Sequence, residues 1–117
     1  MKAIQILVAD DDLTVRETTK QVSERLGYAI IGEAANGLDA VKLSYALKPD
    51  VILMDTDMPY LDGLEATRYC LAPVVILTNG DLAEMAGCLY LSGASACLAK
   101  PVTVTTLERA VSIAVAR

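Results

Sequence analysis

The stretch "VILMDTDMP", residues 51–59, places four apolar residues directly before an acid, a second acid two positions later, and then a proline. A short apolar run that ends in a polar, chain-breaking segment is typical of a strand buried on both faces of a sheet. Asp55 then stands at the carboxyl end of that strand, at the rim of the sheet, where it need not be buried. We therefore interpret residues 51–54 as a central strand and Asp55 as the first candidate functional residue.

Four further apolar runs predict strands, and segments with a helical period separate them. These strands are 4–9, 28–34, 73–77 and 96–99. Five strands that alternate with five helices predict an α/β fold, in which helices cover both faces of a parallel sheet. Because no linker or low-complexity segment interrupts the pattern, we expect residues 1–117 to form a single domain.

Apolar positions at helical spacing predict which side of each helix faces the core. They are Val15, Val22 and Leu26 in the first helix, Leu38, Val41 and Tyr45 in the second, Leu82, Met85, Ala86 and Leu89 in the fourth, and Leu107, Val111 and Ala114 in the fifth. The third helix, within residues 63–72, is short. Asp12, Asn36 and Asp81 are predicted to cap the first, second and fourth helices.

Composition and charge argue against several function classes. The net charge is −5 and no basic stripe is visible, so direct nucleic-acid binding is not expected, because phosphate neutralisation needs clustered Lys and Arg. The N-terminus becomes acidic too early for a signal peptide, and Gly and Ser interrupt the uncharged stretch 85–99. We expect a cytoplasmic protein with no membrane contact. Cys70, Cys88 and Cys97, in a chain without histidine, form no zinc pattern and are expected to be reduced and mostly buried.

Polar side chains follow four of the five predicted strands. They are Asp10, Asp11 and Asp12 after the first strand, Asp55 after the third, Thr78 after the fourth and Lys100 after the fifth. If the strand order is 2-1-3-4-5, strand 2 lies at an edge and the other four strands bring these residues to one crevice. Each residue alone could be a helix cap, a strand end or a surface lysine, but the combination favours a shared site.

The chemistry of these residue types suits phosphoryl transfer. Three carboxylates within a few ångströms repel one another unless their pKa values rise or a cation binds. Mg²⁺ prefers oxygen ligands and often joins carboxylates to a phosphate. Asp55 can then attack phosphorus while Lys100 supplies positive charge and the Thr78 hydroxyl donates to a phosphoryl oxygen. The residues therefore predict an aspartyl phosphate, with no general base because the nucleophile is already ionised.

Four segments of the chain resemble response-regulator receiver domains of two-component signalling, the chemotaxis-regulator type. They are "ILVADDD" (6–12), "VILMDTDMPYLDG" (51–63), "VVILT" (74–78) and "GASACLAKP" (93–101), in the family's order. The resemblance covers essentially the whole chain. It implies a flavodoxin-like (βα)5 three-layer sandwich with a parallel five-stranded sheet of order 2-1-3-4-5. It also implies that the domain is not an enzyme and assists only its own phosphorylation and dephosphorylation.

The resemblance assigns a role to each candidate residue. It implies that Asp55 is the phosphoacceptor and that Thr78 and Lys100 contact the phosphate. The implied ligands of Mg²⁺ are Asp10, Asp11, Asp55 and the backbone carbonyl of Asp57. The peptide bond between Lys100 and Pro101 is usually cis in this family.

The resemblance also implies partners. A histidine kinase or phosphotransfer protein is the expected donor, and because the chain has no histidine it cannot supply the phosphohistidine itself. Cys88, Leu91 and Ile113 lie off the predicted core faces of the fourth and fifth helices. In this family the surface of helix 4, strand 5 and helix 5 commonly pairs with a partner, so we hypothesise a homodimer there. The chain can be a stand-alone receiver or precede a C-terminal output domain.

The chain departs from the family pattern at three places. Cys97 stands three positions before Lys100, where the family usually has a switching Tyr or Phe, so transmission by an aromatic ring is in doubt. The connection from Asp62 to Thr78 is shorter than typical, which trims the third helix. Asn79 follows Thr78 where a smaller residue is common, and it is expected to narrow access to the phosphate.

Two other function classes fit parts of the sequence. "LMDTDMP" and "ILTNG" also resemble the first two motifs of haloacid-dehalogenase-type phosphatases. Those enzymes carry the nucleophile on their first strand and an acidic pair after the lysine, whereas here the acidic pair lies upstream. A receiver-like interaction module that is never phosphorylated is the second alternative, and the intact set of five site residues argues against it.

Overall fold

A five-stranded parallel sheet forms the centre of the computed structural model, which describes residues 2–80, 86–87 and 92–116. The strands are β1 (Gln5–Ala9), β2 (Ala29–Ala34), β3 (Val51–Asp55), β4 (Val74–Thr78) and β5 (Ala96–Ala99). Their order in the sheet is β2-β1-β3-β4-β5, and every neighbouring pair is parallel. The predicted strands and strand order are therefore confirmed.

The register of the strands brings their carboxyl ends to one edge. Asp55 of β3 pairs with Leu77 of β4, one residue before Thr78. Asp10 and Lys100 directly follow β1 and β5. Since β1 and β4 both flank β3, the residues that end or follow these strands share one edge of the sheet.

The structure describes four helices over their full length: α1 (Leu13–Arg25), α2 (Gly37–Leu47), α3 (Gly63–Thr67) and α4 (Val104–Val115). The predicted caps of the first two are confirmed, because Asp12 accepts from the Thr14 and Val15 amides and Asn36 accepts from the Asp39 amide. Asp62 caps α3 by accepting a hydrogen bond from the Glu65 amide.

The core has one apolar layer on each face of the sheet. On one face, side chains of β1, β3 and β4 pack with Leu107, Val111 and Ala114 of α4, with Val22 of α1 and with Leu26, which caps α1. The predicted core face of α4 is thus confirmed, as are the positions of Val22 and Leu26, whereas Val15 is half-buried and belongs to neither core cluster. On the other face, a second cluster joins the same three strands to α2 and α3. The three central strands are buried on both faces, as continuous apolar runs predict.

The buried side of α2 is shifted from the predicted one, and of the three predicted core positions only Val41 packs against the second core cluster. Leu38 and Tyr45 are 45% and 54% exposed, whereas Gly37 and Ser44 are buried. A Cβ atom on Gly37 would lie 1.8 Å from the carbonyl oxygen of Leu61, so this side of the helix accommodates only small residues. The prediction for Leu38 and Tyr45 is wrong because small residues, which occur at the same helical spacing, form the buried side of α2.

The fourth predicted helix lies mostly outside the described residues, as do Asp81, Leu82, Met85, Cys88, Leu89 and Leu91. Ala86 and Gly87 are helical and exposed, so the predicted core position of Ala86 is wrong. The alanine side chain is a single methyl group with little apolar area, so its place among regularly spaced apolar residues does not determine whether it faces the core or the solvent.

Ser44 links α2 to the segment after α3. Its hydroxyl donates to the Val41 carbonyl at 2.7 Å and accepts from the Leu71 amide at 3.2 Å. In Ser44→Ala this part-buried amide loses its acceptor, so we expect the free energy of unfolding to fall by about 1–2 kcal/mol. Urea denaturation followed by circular dichroism measures the change. The exposed Ser112→Ala is the matched control, and equal losses in both variants would contradict the prediction.

Candidate functional site

Lys100 lies between two carboxylates at the carboxyl edge of the sheet. Its Nζ is 2.9 Å from Oδ2 of Asp10 and 2.6 Å from Oδ1 of Asp55. The three side chains are almost completely buried. The fold thus brings together residues that are 45 and 90 positions apart in the chain, which places them as the sequence predicted.

Asp11 completes an acidic cluster with Asp10 and Asp55. One carboxylate oxygen from each residue lies within 4.8 Å of the others, and Asp11 is the exposed member. A single ammonium group against three carboxylates leaves excess negative charge, which a divalent cation can neutralise. Because all the donors are hard oxygens, the residues present fit Mg²⁺. Asp57, two residues beyond Asp55, lies in the exposed loop that follows β3.

The pKa values of the central pair reflect burial and mutual contact. Burial raises the pKa of Asp55, the hydrogen bond from Lys100 opposes that rise, and the charge of Asp10 adds to it, so the net pKa is raised. Burial lowers the pKa of Lys100, but its hydrogen bonds to Asp10 and Asp55 outweigh this effect and raise the net pKa. Lys100 is therefore charged at neutral pH and favours the ionised form of Asp55.

Asp55 is buried, which corrects the expectation for a residue at the rim of the sheet. Only 5% of it is exposed. Gly63, the first residue of α3, packs on its backbone so closely that a Cβ atom there would lie 1.7 Å from the Asp55 carbonyl oxygen. The Gly63 amide also donates to the Thr56 carbonyl at 2.8 Å. α3 and Lys100 together cover the strand end, a role of Gly63 that was not predicted from the sequence.

Thr78 is buried at the end of β4. Its hydroxyl oxygen accepts from the Gly80 amide at 2.9 Å, and its carbonyl accepts from the Lys100 amide at 2.8 Å. A hydroxyl that accepts one hydrogen bond can still donate its own proton. Asn79 is exposed and lines a cavity of about 200 Å³ with Lys100 and Pro101. The Lys100–Pro101 peptide bond is cis, as the family resemblance implied.

Asp10 is held by four hydrogen bonds. Its amide donates to the Ala34 carbonyl at 3.0 Å, and its carbonyl accepts from Nη1 of Arg16 at 2.6 Å. Its two carboxylate oxygens accept from the Asp12 amide and from Lys100, each at 2.9 Å. The role of Arg16 was not predicted from the sequence. The available signal was its place one helical turn after the cap Asp12, where a long side chain can reach back to the strand end.

Cys97 pairs with Ile76 of β4 in the sheet register. This is the position at which the family resemblance implies a Tyr or Phe. The Cys97 side chain is half-buried against the second core cluster. Cys70 is also half-buried, and burial raises the pKa of its thiol. These two thiols are less buried than expected, because β5 is an edge strand and Cys70 lies beyond the end of α3.

Comparison with known proteins gives a consistent result. Residues 6–112 match the family model of the response regulator receiver domain. The transcriptional regulatory protein PdtaR of Mycobacterium tuberculosis is 34% identical over 117 residues, which cover 97% of this chain and 57% of that protein. The chain therefore spans little more than half the length of this relative.

Solved structures with the same architecture include a two-component response regulator of the LuxR family from Aurantimonas sp. SI85-9A1. It has a TM-score of 0.89 and 30% identity over 98% of this chain and 86% of that chain. The receiver domain of the sensor histidine kinase PA1611 from Pseudomonas aeruginosa, with a magnesium ion in its active site cleft, has a TM-score of 0.86 and 27% identity. That match covers 99% of this chain and 100% of the other. Among the described residues, no helix has the length and apolar character needed to cross a membrane.

Proposed function

The chain belongs to the response regulator receiver domain family of two-component signalling, and we propose that residues 1–117 form one receiver domain with Asp55 as its phosphoacceptor. The observation that supports this assignment is the contact of the Asp55 carboxylate with Lys100, beside two further acids at the carboxyl edge of the sheet. Neither the phosphatase alternative nor the non-phosphorylated module has support from the comparisons.

The proposed reaction is transfer of a phosphoryl group from a phosphohistidine donor. An oxygen of the Asp55 carboxylate attacks phosphorus, an O–P bond forms, and the N–P bond breaks with its electron pair remaining on the donor imidazole. The hydrogen bond from Lys100 opposes the rise that burial causes in the pKa of Asp55, and Lys100 offers its positive charge to the phosphoryl oxygens. The Thr78 hydroxyl donates to another of these oxygens. The domain is not itself catalytic for any output reaction and assists only its own phosphorylation and dephosphorylation.

Magnesium is the proposed cofactor. Asp10, Asp11 and Asp55 would hold the ion with their carboxylates, and Asp57 with its backbone carbonyl. When bound, Mg²⁺ neutralises charge on the transferring phosphoryl group. The protein's contribution is to hold the acids close together against their repulsion, which Lys100 relieves only in part.

Incubation with acetyl phosphate and Mg²⁺ tests this function directly. We expect intact-mass spectrometry to show one phosphoryl group per chain, and the label to fall strongly when a chelator removes Mg²⁺. Folded protein that takes up no label with Mg²⁺ present would overturn the proposal. Rapid catalytic turnover of a small phosphomonoester would instead favour the phosphatase alternative.

The donor and the output are proposals that rest on chemistry and on the relatives. Because the chain has no histidine, the phosphohistidine must come from a histidine kinase or phosphotransfer protein. PdtaR is a transcriptional regulatory protein that extends beyond the matched region, so we propose that phosphorylation regulates an attached output domain or a separate partner. We also propose a cytoplasmic location, and no direct contact of this domain with nucleic acid or membrane.

We propose a homodimer through α4, β5 and the segment that precedes β5. Ile113 is 53% exposed on α4 and lines a cavity of about 250 Å³ beside β5.

Dimerisation would bury a charged side chain at position 113, so Ile113→Asp is expected to weaken self-association about tenfold or more. Analytical ultracentrifugation with Mg²⁺ and beryllofluoride measures this, with Tyr45→Asp on α2 as the exposed control. A wild-type protein that stays monomeric at high concentration, with and without beryllofluoride, would exclude the dimer.

A further inference from the structure

We propose that Arg16 is a positioning residue for the cation site, and that Glu33 holds Arg16 in place. This inference rests on the proposed function, because it concerns how the acidic cluster is prepared for Mg²⁺. Arg16 contacts neither the phosphoacceptor nor a carboxylate of the cluster in the structure. It contacts the backbone from which two of the acids project.

The guanidinium group of Arg16 is fixed at two points. Its Nη1 donates to the Asp10 carbonyl at 2.6 Å, and its Nε donates to Oε1 of Glu33 at 2.9 Å. Lys20 donates to the other oxygen of Glu33 at 2.9 Å, so the Glu33 carboxylate is itself held from both sides. A planar guanidinium with two such contacts has little freedom left, and only 15% of the Arg16 side chain is exposed.

The contacted carbonyl belongs to the peptide plane that joins Asp10 to Asp11. Fixing this plane fixes the direction in which the chain leaves Asp10, and therefore where the Asp11 side chain begins. The other side of Asp10 is fixed by its amide, which donates to Ala34, the residue after Glu33 in β2. Two neighbouring residues of β2 thus determine the backbone at both sides of Asp10, one directly and the other through Arg16.

This arrangement favours a geometric role for Arg16 over an electrostatic one. Glu33 neutralises much of the Arg16 charge, so little of it remains to attract a phosphate or relieve the acids. The acids instead obtain their positive charge from Lys100. What Arg16 supplies is a constraint on the spacing of Asp10 and Asp11, which repel each other and would otherwise separate.

Titration calorimetry with Mg²⁺ alone tests the inference on the full chain. We expect Arg16→Ala to weaken Mg²⁺ affinity about tenfold or more, the usual effect of removing a residue that orients a metal ligand. Arg16→Lys, which keeps the charge but not the forked geometry, should lie between this variant and wild type. Glu33→Ala should weaken affinity in the same direction, although it touches neither acid. Arg25→Ala removes an exposed arginine from the last turn of the same helix and is the matched control, so its affinity should stay within about twofold of wild type.

Amide hydrogen exchange of the metal-free protein separates positioning from general loss of structure. In Arg16→Ala we expect faster exchange at Asp10 and Asp12, with the amides of Val8 and Leu53 in the same sheet unchanged. Wild-type Mg²⁺ affinity in Arg16→Ala would overturn the inference, as would exchange that rises equally throughout the sheet. If Arg16→Ala does not fold, Glu33→Ala decides by the same two measurements. Failure of wild type to bind Mg²⁺ or to be labelled by acetyl phosphate would instead count against the proposed function itself.

Discussion

No phosphoryl group is expected on Asp55→Asn after incubation with acetyl phosphate and Mg²⁺. The amide has nearly the shape of the carboxylate but lacks the anionic oxygen that attacks phosphorus. Among the residues that the structure describes, no other acid occupies the same position relative to Lys100, because Asp10 contacts the ammonium from the β1 side. Intact-mass spectrometry of the variant, beside wild type under the same conditions, measures the loss.

Asp57→Asn provides the control for this experiment. It makes the same chemical change two residues further along, in the exposed loop, at a position whose proposed contribution is a backbone carbonyl. This variant should retain most of the wild-type label. Label that survives in Asp55→Asn, with circular dichroism showing an intact fold, would reject Asp55 as the phosphoacceptor.

Gly63→Ala is expected to lower the free energy of unfolding by about 3 kcal/mol or more. The added Cβ would lie 1.7 Å from the Asp55 carbonyl oxygen and 2.8 Å from its carbonyl carbon, so α3 or β3 must move. Both contacts are to backbone, which cannot rotate away as a flexible side chain could. Urea denaturation followed by circular dichroism measures the change, and the variant that remains folded should accept phosphate more slowly.

Gly87→Ala is the matched control, because a Cβ atom at this exposed helical position meets no heavy atom within 4 Å. It should be as stable as wild type or more stable by up to about 1 kcal/mol, since alanine favours the helix over glycine. A Gly63→Ala variant with wild-type stability would show that the segment between β3 and α3 can adjust without cost, contrary to the close packing in the structure.

The strand order and the residues of the site could be predicted because both depend on strong signals. Continuous apolar runs mark strands that are buried on two faces, and the carboxyl ends of parallel strands meet at one edge. These signals predict that Asp10, Asp55 and Lys100 lie close together, and the structure places Lys100 in contact with both acids. The roles of these residues remain proposals that the labelling and metal-binding experiments test.

Features that depend on close approach could not be predicted from hydropathy. Gly37 and Gly63 carry no apolar side chain, yet each lies against the backbone of another segment. The contact of Gly37 sets the side of α2 that faces the core, and the contact of Gly63 sets the burial of Asp55. Arg16 was missed because a charged residue on an amphipathic helix is usually solvated. Its importance arises from Asp10 and Glu33, which lie near the carboxyl ends of different strands and contact it only in the folded protein.

The position of Lys100 has a consequence for biosynthesis. During translation the three acids of the cluster are added to the chain before this lysine, which lies 90 residues after Asp10. A nascent polypeptide that lacks β5 therefore presents mutually repelling carboxylates without their buried counter-charge. The edge of the sheet gains this ammonium group, and with it the contacts that draw Asp10 and Asp55 together, only after translation has passed the last strand.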